Sequence, residues 1–260
     1  MARLVASKRQ WKYPLHLEKE YERQLKRYAR QLKLIEKEEI SYIKSLLELY
    51  RVDSESRQDG IVDDVTRMAN RIKNKFYSFF SESRILSDVR GMLNKINVFN
   101  KKQADNSFKG FAVDVFTREP DIREAANIWT SENVKLIKSL VDTDVDRLAS
   151  IVLNGVQNGT PTKQVAEEIQ KLTGTTTKRA QLIAVDQIGK LNGALTRQRQ
   201  LAAGITHFKW QTMQDSRVRE EHSERNQKIY PWAYQFSDGY PGQPIRCRCV
   251  AQPVIDLDKF

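Results

Sequence analysis

The sequence predicts a mainly α protein: long N-terminal helices, then a helical segment, then a small C-terminal α+β module. Three observations predict this. Apolar residues recur every three or four positions through the first half of the chain, the spacing of one helix face. Period-two alternation sets in after Gly204. Four of the seven prolines lie after residue 230, so the turn-rich chemistry is concentrated at the C-terminal end. At 260 residues the chain can bury a sizeable core, in one large domain or two smaller ones.

Leu17, Tyr21, Leu25, Tyr28, Leu32 and Ile35 form one stripe, and Ile43, Leu47 and Tyr50 continue it. Together they predict one amphipathic helix over roughly 15–51, long enough to serve as a coiled-coil or partner-docking surface. Residues 53–60 (DSESRQDG) hold no apolar residue and read as a turn. Val65, Met68, Ile72, Phe76 and Phe79 mark a second helix. Ile85, Val89, Met92, Ile96 and Phe99 mark a third, with Gly91 a weak spot inside it. Phe108, Phe111, Val113, Val115 and Phe116 fit a short strand or a helix start, and Pro120 breaks that stretch. The main internal boundary is placed here, dividing a helical docking region, 1–120, from a second domain, 121–260.

In that second domain Asp121 and Ser131 are N-cap candidates for two helices, and a third is expected over about 142–156. Gly159-Thr-Pro161 stops one helix and starts the next, 162–172. Gly174 and three threonines then lead into a long helix over about 177–203. Residues 205–213 alternate as a strand, and so do Arg246 to Ala251 after a Gly/Pro-rich approach. A compact α+β module is thus expected over about 177–260.

The chain carries 44 Lys+Arg against 33 Asp+Glu, a net charge of +11, with a mean hydropathy of −0.62. The excess is +4 in residues 1–60, +4 in 61–120, zero in 121–180 and +3 in 181–260. A charge so spread suits a polyanionic neighbourhood and lacks the density of a dedicated DNA-binding tail. Arg3, Lys8, Arg9 and Lys12, interleaved with Trp11 and Tyr13, are the candidate DNA contacts, against a plain solvated terminus as the other reading. The longest apolar run, Leu182 to Val185, is four residues, so no membrane anchor is expected. The first seventeen residues lack an apolar signal core, so no secretory signal is expected. Two cysteines, Cys247 and Cys249, exclude a disulfide scaffold and fit synthesis in a reducing cytoplasm.

Reactive residue types gather late. Cys247 and Cys249 share one strand face, and His222 and Asp215 belong to the preceding turn. Asp215, His222, Cys247 and Cys249 are therefore a candidate tetrahedral zinc set, the alternative being packed thiols and a locally satisfied histidine. Arg246 and Arg248 would lower the Cys247 thiol pKa if close. Asp186, Gln187, Lys190 and Asn192 read as a buried polar network joining the long helix to the terminal module. Arg217 and Arg219 read as structural partners of nearby carboxylates.

These residues carry a resemblance. The stretch KRAQLIAVDQIGKLNGALTRQRQLAAGITHFKW, then DSRVREEH, then PGQPIRCRCVAQP, resembles the Mu F-like minor head proteins of tailed bacteriophages, also called head morphogenesis proteins, over roughly 125–255. Val185 stands where the family usually has Arg, and Gln227 where it usually has Gly. Asn226 could supply the left-handed turn residue instead. The resemblance implies a non-enzymatic minor capsid protein, made in the host cytoplasm and placed in the virion at the portal vertex. Its partners would be the portal protein and other head proteins, with non-specific contact to packaged DNA. It implies a part in head assembly and DNA packaging or delivery. Relatives with CxxC in place of Arg219 and His222 add to the zinc reading. The competing function is a metal-dependent nuclease or transferase acting on nucleic acid.

Overall fold

The computed structural model describes residues 3–51, 58–109, 111 and 119–259. It is 69% helical, with seven α-helices and one antiparallel four-stranded sheet near the C-terminus among the described residues, which is the predicted class. The helices are α1 (Leu15–Glu38), α2 (Ile40–Arg51), α3 (Gln58–Phe79), α4 (Glu82–Phe108), α5 (Arg123–Gln157), α6 (Thr162–Ala202) and α7 (Glu220–Arg225). The strands are β1 (Leu4–Ala6), β2 (His207–Gln211), β3 (Ile229–Pro231) and β4 (Val250–Asp256), in the spatial order β1-β4-β2-β3.

Several boundaries differ from the sequence reading. The helix expected over 15–51 divides at Glu39, whose N–H turns to the Glu36 carbonyl while its buried carboxylate accepts from Arg71 (2.9 Å) and Lys75 (3.3 Å). The three helices expected between 121 and 156 are one, α5, with Ser131 in its interior. The two expected between 162 and 203 are also one, α6. Gly174 lacks a left-handed backbone, so the helix runs through it, and Thr176 within the helix donates its hydroxyl back to the Leu172 carbonyl at 3.2 Å. Phe79 is exposed and Phe80 takes its place in the core. The turn expected over 53–60 lies outside the described residues through 57, and α3 has begun by Gln58. Val113, Val115 and Phe116 also lie outside them.

The chain packs as two compact units, each assembled from separate segments. One comprises Glu22–Asp88 and Val134–Gln181, and its regular elements among the described residues are all α-helices. Tyr28 meets Phe80 edge-on at 4.7 Å and donates its hydroxyl to Asp88 at 2.7 Å. Lys33 sits between Glu36 (2.7 Å) and the Asp144 carboxylate (2.6 Å), both buried.

The other unit comprises Met1–Tyr21, Val89–Asn133 and Leu182–Phe260 and holds the sheet. β4 is buried along its whole length, paired with β1 through Ala6↔Val254 and with β2 through Trp210↔Ala251. The second expected strand, 246–251, is in fact β4 at 250–256, running through Pro253. Ser7 donates its N–H to the Pro253 carbonyl at 3.0 Å, but proline has no N–H to return to Ser7. The Gln252 side chain supplies it instead, donating to the Ser7 carbonyl at 2.6 Å. Phe208 and Trp210 of β2 point inward onto Trp232, Cys247, Cys249 and Ala251, so the thiols lie in an aromatic core.

Candidate functional site

The site is built on the turn that precedes β4 and on the one-and-a-half-turn helix α7. Against them lies the C-terminal half of α6, where two glycines lack the Cβ that would hold the chain away. A Cβ on Gly189 would stand 2.5 Å from the Cys247 carbonyl oxygen, and one on Gly242 2.5 Å from the Gly189 carbonyl oxygen. Gly193 meets the Pro241 carbonyl in the same way. Gly242 also has φ +92, so its backbone conformation requires glycine independently. Asp186 fixes the next residue along, accepting the Arg246 N–H at 3.1 Å while pairing with Lys190 at 2.7 Å. Backbone thus meets backbone between α6 and residues 241–247, and the thiols are placed by this seam.

His222, Cys247 and Cys249 come together, all buried, with their donor atoms within 4.8 Å of one another. His222 Nδ1 lies 3.6 Å from the Cys247 sulfur and 3.5 Å from the Cys249 sulfur. Its ring stands edge-on to Trp210 at 5.3 Å. The other nitrogen, Nε2, lies 2.8 Å from an oxygen of Asp238. Arg225 donates to the second Asp238 oxygen at 2.7 Å.

Hydrogen bonding from Cys249 is the largest influence on the Cys247 thiol; with His222 and the N–H groups of Gly242 and Cys249 it overcomes burial and brings the pKa to about 4. The hydrogen bond to Cys247 and its burial push the Cys249 thiol up. The flanking arginines, expected to depress Cys247, are not among the leading causes, although Arg248 acts to lower the Cys249 thiol. The His222 pKa is raised, first by its bond with Cys247 and then by Asp238, against burial. Burial works to raise the Asp238 carboxyl, and the bonds from His222 and Arg225 outweigh it, so its pKa is lowered.

Asp215, the fourth member of the expected set, is elsewhere. Its two oxygens accept from the buried Arg248 guanidinium at 2.7 and 2.6 Å, and Arg217 adds a bond at 3.2 Å. Both bonds come from the one nitrogen Nη2, and this charged donor, a better partner for a carboxylate than two thiols, holds the Asp215 pKa down. The carboxylate that serves His222 is Asp238, which the sequence reading missed: Ser237-Asp238-Gly239 reads as turn chemistry, and nothing in the spacing ties it to His222.

The expected polar network is several separate ones. Gln187 accepts from Asn133 at 2.9 Å and its carbonyl accepts from the Trp129 indole at 2.9 Å. The Asn192 side chain accepts from Asn100 at 3.0 Å, and Asn100 in turn accepts from the buried Arg199 at 2.7 Å. Of the four α6 residues, Asp186 reaches the thiol turn. Arg219 donates to the Ile245 carbonyl at 2.6 Å, a backbone partner instead of a carboxylate. Glu220, Glu221 and Glu224 are exposed.

The basic arm is ordered into the fold. The Arg3 carbonyl and N–H bond to Leu257 and Asp258, β1 joins the sheet, and Arg9 reaches Asn106 at 3.4 Å. Trp11 is fully buried and Tyr13 nearly so, so neither ring is available to stack on bases. The side chains of Arg3, Lys8, Arg9 and Lys12 are exposed. At Gln227 the backbone is left-handed, φ +65, while Asn226 has φ −57 and instead caps the turn by accepting the Thr212 N–H at 3.0 Å. Val185 is buried, and its carbonyl lies 3.5 Å from the Tyr13 hydroxyl.

Residues 146–252 match the family described as phage Mu protein F like protein, which shows the resemblance read from the motifs over that segment. The segment takes in the end of α5, all of α6, β2, α7 and β3, and the first residues of β4. A protein of Haemophilus influenzae (strain ATCC 51907 / DSM 11121 / KW20 / Rd), described as an uncharacterized protein, is 32% identical over 191 residues. The alignment covers 72% of this chain and 43% of that protein, so the chain spans less than half of its relative's length. No solved structure matches the chain. No described helix is long and apolar enough to cross a membrane.

Proposed function

We propose that this chain, similar over residues 146–252 to phage Mu protein F like proteins, is a minor head protein of a tailed bacteriophage that takes part in head assembly. The observation that carries the reading is that the matched segment contains the glycine seam of α6 and the whole His–thiol cluster. The specific contacts are to other head proteins, first the portal, and the protein resides in the virion at the portal vertex. Residues 1–120 supply docking surface by function. Both compact units draw chain from either side of residue 120. The spread positive charge, with Arg3, Lys8, Arg9 and Lys12 exposed, suits non-specific contact with packaged DNA during packaging or delivery.

A structural role is favoured over a nuclease or transferase because the His–thiol cluster is closed: His222 is 2% exposed and each cysteine 5%. The test is co-purification of the full chain with the portal protein encoded beside it, across a salt series. Binding to portal that survives salt, with DNA binding that is weak and falls steeply with salt, is the expected result. Plasmid cleavage with Mg²⁺ or Mn²⁺ that is lost in His222→Ala, or tight DNA binding without portal binding, would overturn the reading.

A further inference from the structure

We propose that His222 Nδ1, Cys247 Sγ and Cys249 Sγ bind one zinc ion, with Asp238 as the positioning carboxylate behind the histidine and Asp215 outside the site. Three geometric facts point to the ion, and none of them draws on the head-protein reading.

The first is spacing. Zn–S bonds of about 2.3 Å and Zn–N bonds of about 2.0–2.1 Å at a tetrahedral angle put nitrogen and sulfur about 3.6 Å apart. The two nitrogen–sulfur distances here are 3.6 and 3.5 Å. By hydrogen bonding alone, one ring nitrogen would have to share a single proton or lone pair between the two sulfurs. Near-equal approach to two sulfurs is what a cation held between the three atoms requires.

The second fact is the histidine's other nitrogen. Asp238 accepts from Nε2 at 2.8 Å and is itself held by Arg225 at 2.7 Å. A carboxylate there accepts the Nε2 proton and orients the ring so that Nδ1 faces the sulfurs, where its lone pair would bind the ion. This carboxylate–histidine pairing is the support that metal-bound imidazoles usually have.

The third is the treatment of the sulfurs. The Gly242 N–H lies 3.4 Å and the Cys249 N–H 3.5 Å from the Cys247 sulfur, both placed to donate to a thiolate. The tight turn that aims them is set by Gly242 at φ +92 and Arg246 at φ +62. Soft sulfur with one imidazole selects zinc over magnesium or calcium, which take oxygen ligands.

The full chain is purified reduced and without chelators, and its metal content is measured by plasma mass spectrometry. About one zinc per chain is expected. Cobalt(II) substitution should give the intense visible bands of tetrahedral cobalt and a thiolate-to-cobalt charge-transfer band. Chelator competition should show Asp238→Asn weakening affinity about 10–100-fold, Cys249→Ser abolishing stoichiometric binding, and Asp215→Asn leaving it unchanged. If a variant fails to fold, the wild-type zinc content and cobalt spectrum decide alone. No stoichiometric zinc in the reduced wild type after reconstitution, a cobalt spectrum without the thiolate band, or Asp215→Asn matching Asp238→Asn would each overturn the proposal.

Discussion

Gly189 lies so close to Cys247 that a single added carbon would stand 2.5 Å from the Cys247 carbonyl oxygen. The helix interior would otherwise welcome alanine, which is favoured over glycine by about 1 kcal/mol. Here the obstacle is backbone on both sides, with no flexible side chain to move aside. Gly189→Ala is expected to destabilise the fold by ~1–3 kcal/mol through overpacking. Gly174→Ala, in the same helix with open space around its Cα, is expected to stabilise by ~0.5–1 kcal/mol. Urea unfolding of the two variants should give midpoints shifted in opposite directions.

Gln252 substitutes for an N–H that Pro253 cannot provide. Losing it would leave the buried Ser7 carbonyl without that donor, in the register where β1 meets β4. Gln252→Ala is therefore expected to cost ~1–3 kcal/mol, the penalty of an unsatisfied buried group. Amide exchange should show where the loss falls. Protection should drop first at Ser7 and along β1, before β2 and β3 are affected.

Gln227 holds a left-handed backbone, φ +65, between α7 and β3. An L side chain there costs roughly 1–2 kcal/mol, which glycine avoids. Glycine's greater unfolded-state freedom offsets part of the gain. Gln227→Gly is expected to raise stability by up to ~1 kcal/mol, and Asn226→Gly, at a negative φ, to lower it. Thermal unfolding of both variants tests the assignment, and the opposite order would refute it.

What was legible follows from the range of each signal. The stripes of α1, α3 and α4 were plain because 3.6-residue periodicity is written in the element's own residues. Where one helix ends was not, because Ser131 and Gly174 carry local stop-and-start signals that neighbouring packing overrides. β1 was missed since Leu4-Val5-Ala6 is too short for any period, and β4 was cut short because the side chain that rescues Pro253 cannot be seen in spacing. At the site, His222, Cys247 and Cys249 stood out because so few reactive residues are present. The choice between Asp215 and Asp238 depends on where Arg248 and Arg225 fall in three dimensions, which sequence distance does not encode.

Glu36 shares Lys33 with Asp144 inside the helical unit, so two buried carboxylates meet one cation. Burial, and then Asp144, raises the Glu36 carboxyl from 4.5 to about 8. An unfolded chain releases that proton near 4.5, whereas the folded chain keeps it to about 8. Between those values the folded state binds more protons, so stability falls as pH rises through the window. Below it the two states are equally protonated and the contribution is flat. Glu36→Gln fixes the neutral form, while Lys33 keeps Asp144 as its counter-charge at 2.6 Å. The variant is expected to lose most of this pH slope and to gain on the order of 1–3 kcal/mol above about pH 8, where the wild type must bury a second carboxylate charge. Urea unfolding at stepped pH measures both. A wild-type stability that rises with pH across this window, or a slope unchanged in Glu36→Gln, would show that the titrating group lies elsewhere.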